Sequence, residues 1–211
     1  MSNMAMLVLL FSNAGTVFAQ SSDTLSHQVQ SAEMINPTTV EVIFTDKHRL
    51  SIDFYGENIF RLFEDPTGGI IRNPVANPPA NILVQNPRKS VSAISIKDDG
   101  NNLLISSSKI SIEVNKNSSC MRVFNVTTHQ VALQTILPFG FSKDKVTLAL
   151  KENPDEYFFG GGVQNGRFSH KNSSIAIVNE NSWTDGGVAS PAPFYWSTNG
   201  YAVLWHTFKP G

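Results

Sequence analysis

Between Phe158 and Phe168 the chain reads FFGGGVQNGRF, and two further runs follow it: WTDGG at Trp183 to Gly187 and SPAPFYWSTNGYAVLWHTF at Ser190 to Phe208. Three successive glycines permit positive φ and carry no side chain to block close approach, so a strand ending at Phe158 and Phe159 can turn sharply there. A bulged β-turn satisfies that pattern. A ligand-facing loop satisfies it too, because the next residues include Gln164, Asn165 and Arg167, whose amide and guanidinium groups suit neutral, hydroxyl-bearing molecules. Phosphate fits poorly. The glycines do not keep the G-x-G-x-x-G spacing, no Lys-Ser/Thr pair closes a Walker loop, and β-type sequence follows where a helix would have to open.

Trp183, Tyr195, Trp196, Tyr201 and Trp205 crowd the last quarter among Gly, Ser, Asn and Pro. Rings in that setting can stack on the apolar faces of sugars while nearby amides bind the hydroxyls. Tyr201, Val203 and Trp205 alternate along a strand and are expected in the core, which leaves Trp183 and Tyr195 as the rings expected to be exposed. Hydrolysis of a glycosidic bond needs two facing carboxyl groups. Asp144, Glu152, Asp155, Glu156 and Glu180 sit in polar turns and read as solvated surface charge. Asp185, flanked by Trp183 and two glycines, lies on a loop free to project into a pocket.

Other chemistries find little support. His27, His48 and His129 are isolated, and His170 and His206 form no H-x-x-x-H or H-E-x-x-H pattern, so neither a metal site nor a mutarotase-type His and Glu pair is indicated. No G-x-S-x-G elbow is present for acyl transfer. Cys120 is the single cysteine, which excludes an intramolecular disulfide and reads as a small hydrophobe in a strand.

The elements that must hold these residues are short and alternate with period two. TVEVIF (Thr39 to Phe44), RLSIDFY (Arg49 to Tyr55) and NIFRLFE (Asn58 to Glu64) predict an antiparallel meander. Glycines and prolines from Asp65 to Ala80 predict a long surface crossing, with a strand resuming at Asn81 to Val84. A second meander is expected from Val91–Ile96, Leu103–Ser106, Lys109–Val114 and Met121–Asn125, turning at Asp98 to Asn101 and at Asn115 to Ser119. Val131–Ile136, Val146–Leu150 and Tyr157–Phe159 continue it. With no convincing helical face anywhere, the fold class is all-β, an antiparallel β-sandwich with few or no helices.

The 211 residues are 41% hydrophobic and 16% charged with a net charge of −1, and the scattered Lys and Arg leave no footprint for nucleic acid or anionic lipid. Met4 to Phe11 is nearly all apolar, and Val17-Phe18-Ala19 ends on small residues before the polar QSSD. Residues 1–19 therefore read as a signal peptide and the protein as exported, although Met1 to Met6 lacks a basic residue; a buried strand or helix is the competing reading. No run reaches about 18 apolar residues, which argues against a membrane span.

From Glu156 to Gly211, the runs YFFGGGVQNGRFSH, NSWTDGG and SPAPFYWSTNGYAVLWHTFKPG resemble the N-terminal region of glycoside hydrolase family 31, the α-glucosidase and α-xylosidase family. NIFRLFED and NPPANILV resemble the same region more loosely. The resemblance implies a galactose-mutarotase-like β-sandwich over residues 20–211 that precedes a (β/α)8 barrel carrying both catalytic aspartates, so no catalytic residue is expected in this chain. It further implies an α-linked oligosaccharide or glycoside as substrate and the C-terminal barrel as partner; the histidine and cysteine pattern gives no reason to expect a cofactor or metal. A loop of the family's sandwich reaches the barrel mouth; Asp185 and Trp183 match that role, with Gln164, Asn165 and Arg167 beside them. FFGGG stands where many α-glucosidases carry a Tyr-Gly-Leu-Gly-Glu run, which leaves the sugar open. A free-standing carbohydrate-binding module without catalysis, or a structural partner domain, also satisfies the residues.

Overall fold

The computed structural model describes residues 5–10, 28–64, 91–141, 145–164, 168–178, 188–206 and 211. Its strands begin with β1 (Ala5–Leu10), β2 (Val29–Asn36), β3 (Thr39–Phe44), β4 (Arg49–Gly56) and β5 (Ile59–Glu64). There follow β6 (Ser95–Asp98), β7 (Asn102–Ser106), β8 (Ile110–Asn115), β9 (Met121–Asn125) and β10 (Val131–Gln134). The last are β11 (Gly140–Phe141), β12 (Val146–Thr147), β13 (Phe158–Gln164), β14 (Val188–Ser197) and β15 (Tyr201–His206). No helix occurs among the described residues. One sheet of eight strands runs in the order β13-β14-β15-β1-β5-β4-β3-β2; a second of five runs β10-β9-β8-β7-β6, and β11 and β12 form a small pair.

The two large sheets share one core, as the alternating pattern requires. Val40, Val42, Ile52, Phe54, Phe60 and Leu62 from the first meander meet Leu103, Ile105, Ile112, Val114, Met121 and Val123 from the second. In β7 the alternation is simple: Leu103 and Ile105 are buried while Asn102, Leu104 and Ser106 are partly exposed. β4 departs from it, because Ser51 and Asp53 on its other face are also buried. There Arg61 Nη2 donates to Asp53 Oδ2 at 2.9 Å, between residues that are direct cross-strand partners.

Several predicted strands appear at the expected residues, β3 and β9 with the same ends. Others differ. β6 begins at Ser95 where alternation pointed to Val91, and β12 ends at Thr147, leaving Leu150 as an isolated bridge to Thr135. The strand expected at Asn81 to Val84 lies outside the described residues. The apolar run read as a leader supplies β1, which pairs in parallel with β5 on one side and β15 on the other.

Candidate functional site

The triple glycine does not end its strand. β13 continues through Gly160, Gly161 and Gly162, with φ of 114°, 73° and 84°, to Gln164. Its register against β14 shifts between Gly160 and Gly162 and again between Val163 and Gln164. The backbones approach so closely that a Cβ on Gly162 would lie 2.0 Å from the Ser190 carbonyl oxygen, and one on Gly160 2.5 Å from that of Phe194. Glycine is thus required twice over, by conformation and by space. The bulge expected from the sequence is present, in an edge strand that runs on to Gln164.

That loop is pinned at its return. The His170 amide donates to the Phe158 carbonyl at 2.9 Å, and its ring Nε2 lies 2.9 Å from the Gly160 carbonyl, an acceptor, so Nε2 carries the proton. His170 is 7% exposed, and its buried Nδ1 has no hydrogen-bond partner among the described residues. It is a structural clamp.

Gln164 and Val188 are register partners at the open end of the β13 and β14 pair. The chain leaves Gln164 toward Asn165 and Arg167, and it returns to Val188 from the WTDGG run. Both predicted ligand loops therefore spring from a single rung. Asn165, Arg167, Trp183 and Asp185 themselves lie outside the described residues, as does the side chain of Gln164.

The opposite end is tied by Glu156. Expected on the surface, it is 0% exposed. Its carboxylate accepts from the Ser197 hydroxyl, from Asn199 Nδ2 at 2.7 Å and from the Asn153 amide at 3.0 Å. The correction has a plain cause: the turn Ser197 to Gly200 folds its polar groups over the carboxylate and replaces the water lost on burial. Tyr157 and Thr198 exchange two further bonds, amide to Oγ1 at 3.0 Å and amide to carbonyl at 3.1 Å. Glu156 is thus a brace and cannot serve as a free acid. Asp144 and Glu180 fall outside the described residues; Glu152 and Asp155 are exposed, as expected.

The aromatic faces are also reassigned. Tyr195 points inward, its ring edge-on to Phe158 at 6.2 Å and to Tyr201 at 6.5 Å, and burial raises its hydroxyl pKa well above the ordinary value. Its neighbour Trp196 takes the outer face, 40% exposed and stacked on Phe159 at 4.4 Å. Phe168, 88% exposed, meets Phe159 edge-on at 5.3 Å. Period two along β14 demands that one of the adjacent rings face out, and composition does not tell which. Tyr201 and Val203 are buried and Trp205 packs against the core, as the alternation implied. Among the described residues no three His, Cys, Asp or Glu side chains form a metal-binding group, and no helix is long and apolar enough to cross a membrane.

Comparisons with known proteins follow this geometry. No curated protein matches the chain. Among solved structures, a dextranase of glycoside hydrolase family 31 from Flavobacterium johnsoniae, complexed with isomaltotriose, superposes with a TM-score of 0.65 at 16% identity, over 82% of this chain and 21% of its own. A family 31 α-xylosidase from a soil metagenome, complexed with xylose, gives 0.64 at 19% identity, over 86% and 29%. The cycloalternan-forming enzyme of Listeria monocytogenes, complexed with a pentasaccharide substrate, gives 0.60 at 16%, over 82% and 16%. The chain thus spans less than a third of each of these proteins, and at such identities the likeness establishes the fold. The family model for the glycosyl hydrolase 31 N-terminal galactose mutarotase-like domain matches residues 49–211, so the chain belongs to that family.

Proposed function

We propose that this sandwich serves a retaining α-glycosidase, walling the sugar pocket while the catalytic carboxylates are supplied by a barrel domain. The observation that carries the reading is the shared rung of Gln164 and Val188, after which the chain runs on to Asn165 and Arg167 and to which it returns from the WTDGG run. Family membership supports the reaction class. Amide, guanidinium, indole and carboxylate groups together suit hydroxyl recognition and ring stacking. Asp185 and Trp183 are assigned to the pocket wall, with Gln164, Asn165 and Arg167 beside them.

Calorimetric titration of the chain with isomaltotriose tests the wall directly. Binding in the millimolar range or tighter that Trp183→Ala abolishes supports it, whereas binding unchanged in Trp183→Ala removes Trp183 from the assignment. Binding by this chain, together with a gene product lacking hydrolytic activity on α-glycosides, favours the module reading. Export through cleavage after Ala19 completes the proposal, supported by the apolar run and the Val17-Phe18-Ala19 site. N-terminal sequencing of the protein recovered outside the cytoplasm should begin at Gln20; a product beginning at Met1 defeats it.

A further inference from the structure

β1 stands apart from every other strand of its sheet. All remaining pairs in that sheet are antiparallel, but β1 is parallel to both neighbours, with Leu7 opposite Phe60 and Val203, and Val8 opposite Arg61 and Leu204. Among the described strands it alone joins the meander β2 to β5 to the segment β13 to β15, which includes the triple glycine, Trp196 and Trp205. Its sequence, AMLVLL, has no alternation, as is common for strands of parallel sheets.

β1 is also separable. Its successor in sequence, β2, lies at the far edge of the sheet, beyond β5, β4 and β3, four strand spacings or roughly 19 Å away. The chain between them, residues 11–28, can extend to about 60 Å, so β1 can leave its place without moving β2. Were it to leave, β5 and β15 would face each other across roughly 10 Å, too far to pair, each with an unsatisfied row of backbone donors and acceptors.

We propose that the gap between β5 and β15 is an acceptor site for one extended apolar peptide in parallel register, with residues 5–10 of this chain as its tethered occupant. The segment that reads as an export leader is then also the strand that completes the sheet. Translocation requires it extended and free, while the closed sheet holds it, so a precursor that folds first hides its own leader. Main-chain hydrogen bonds to both edges provide the affinity, and the tether supplies a high local concentration.

Hydrogen exchange on the intact 211-residue chain tests the occupant. The amides of residues 6–9 should exchange at least ~100-fold more slowly than in a free peptide; free-peptide rates there overturn the proposal. Val8→Pro in the full chain tests the acceptor, since proline cannot continue a central strand. Protection should fall by at least ~10-fold in residues 59–64 and 201–206 while residues 110–125 keep theirs. A synthetic peptide of residues 4–11 bearing two C-terminal lysines should restore it. Unchanged protection at 59–64 and 201–206 in Val8→Pro, or no rescue by the peptide in a folded Val8→Pro chain, rejects the site; if Val8→Pro unfolds entirely, the exchange of residues 6–9 in the unaltered chain decides.

Discussion

Two carboxylates bracket β5 and are pushed in opposite directions. Burial alone would raise the pKa of Glu57, but the hydroxyls and amides of Ser108 and Ser92 donate to its oxygens and outweigh burial, bringing it down to about 2 from the ordinary 4.5. A lowered carboxylate stabilises the fold fully above its unfolded value and loses that contribution as pH falls through the folded one. Glu57 bridges the turn before β5 to the turn before β8, so Glu57→Gln should lower Tm at pH 6 and close the gap to wild type between pH 4.5 and 2. Parallel thermal melts across that window would show it. Glu64 behaves inversely: burial, then the charge of Asp46, raises it to about 7. Its contribution is complete below pH 4.5 and lost as pH rises through 7. His48 Nδ1 lies 3.1 Å from the same carboxylate, so the readout is the pH dependence: the stability of Glu64→Gln relative to wild type should rise between pH 4 and pH 8, as urea titrations at the two pH values would reveal. Arg61 is a third case. Removing one member of a buried ion pair strands the other, so Arg61→Met should cost about 3–5 kcal/mol, and a loss below ~1 kcal/mol in denaturant melts would show that Asp53 finds water instead.

At the scale of elements, the sequence was most legible where polar and apolar residues alternate in a half-buried strand. TVEVIF and MRVFN gave both ends of their strands because a turn residue stops each pattern where burial stops. β14 was harder to read. Pro191 and Pro193 cannot donate to a ladder, and among the described residues β15 pairs with β14 only from Phe194 onward, so both prolines sit outside that ladder. β13 was read as ending at Phe159 because glycine weakens strands in general, whereas here it permits the backbone contact with β14. Nothing in composition reports that contact, just as nothing in it reveals that Glu156 is enclosed by the Ser197 turn. The glycine contact is directly testable: Gly162→Ala imposes positive φ on a residue with a Cβ and drives that atom into Ser190 and Ala192. It should destabilise the protein by more than about 1 kcal/mol and quicken amide exchange in β14 ahead of β3 and β4. Uniform exchange across all strands would show that the bulge is not a local seam.

For the molecule as a whole, the sandwich itself was readable from period two and turn spacing, since two amphipathic meanders have few ways to bury their apolar faces other than against each other. The assembly of the eight-stranded sheet was not, because β1 carries no period and its neighbours are distant in sequence. The loops proposed for sugar recognition were picked out by residue type, and the structure adds that the chain between them leaves β13 and rejoins β14 at the register pair Gln164 and Val188. In the complete glycosidase that family membership suggests, Asp185→Ala should raise KM or lower turnover on α-glycosides with Tm unchanged; identical kinetics would strike Asp185 from the pocket. That common origin also bears on how such proteins can be re-engineered. Both ends of the 165–187 stretch are fastened to one cross-strand step, so it can be transplanted between relatives as a cassette, provided the recipient keeps the glycine strand onto which the insert's own His170 buttons.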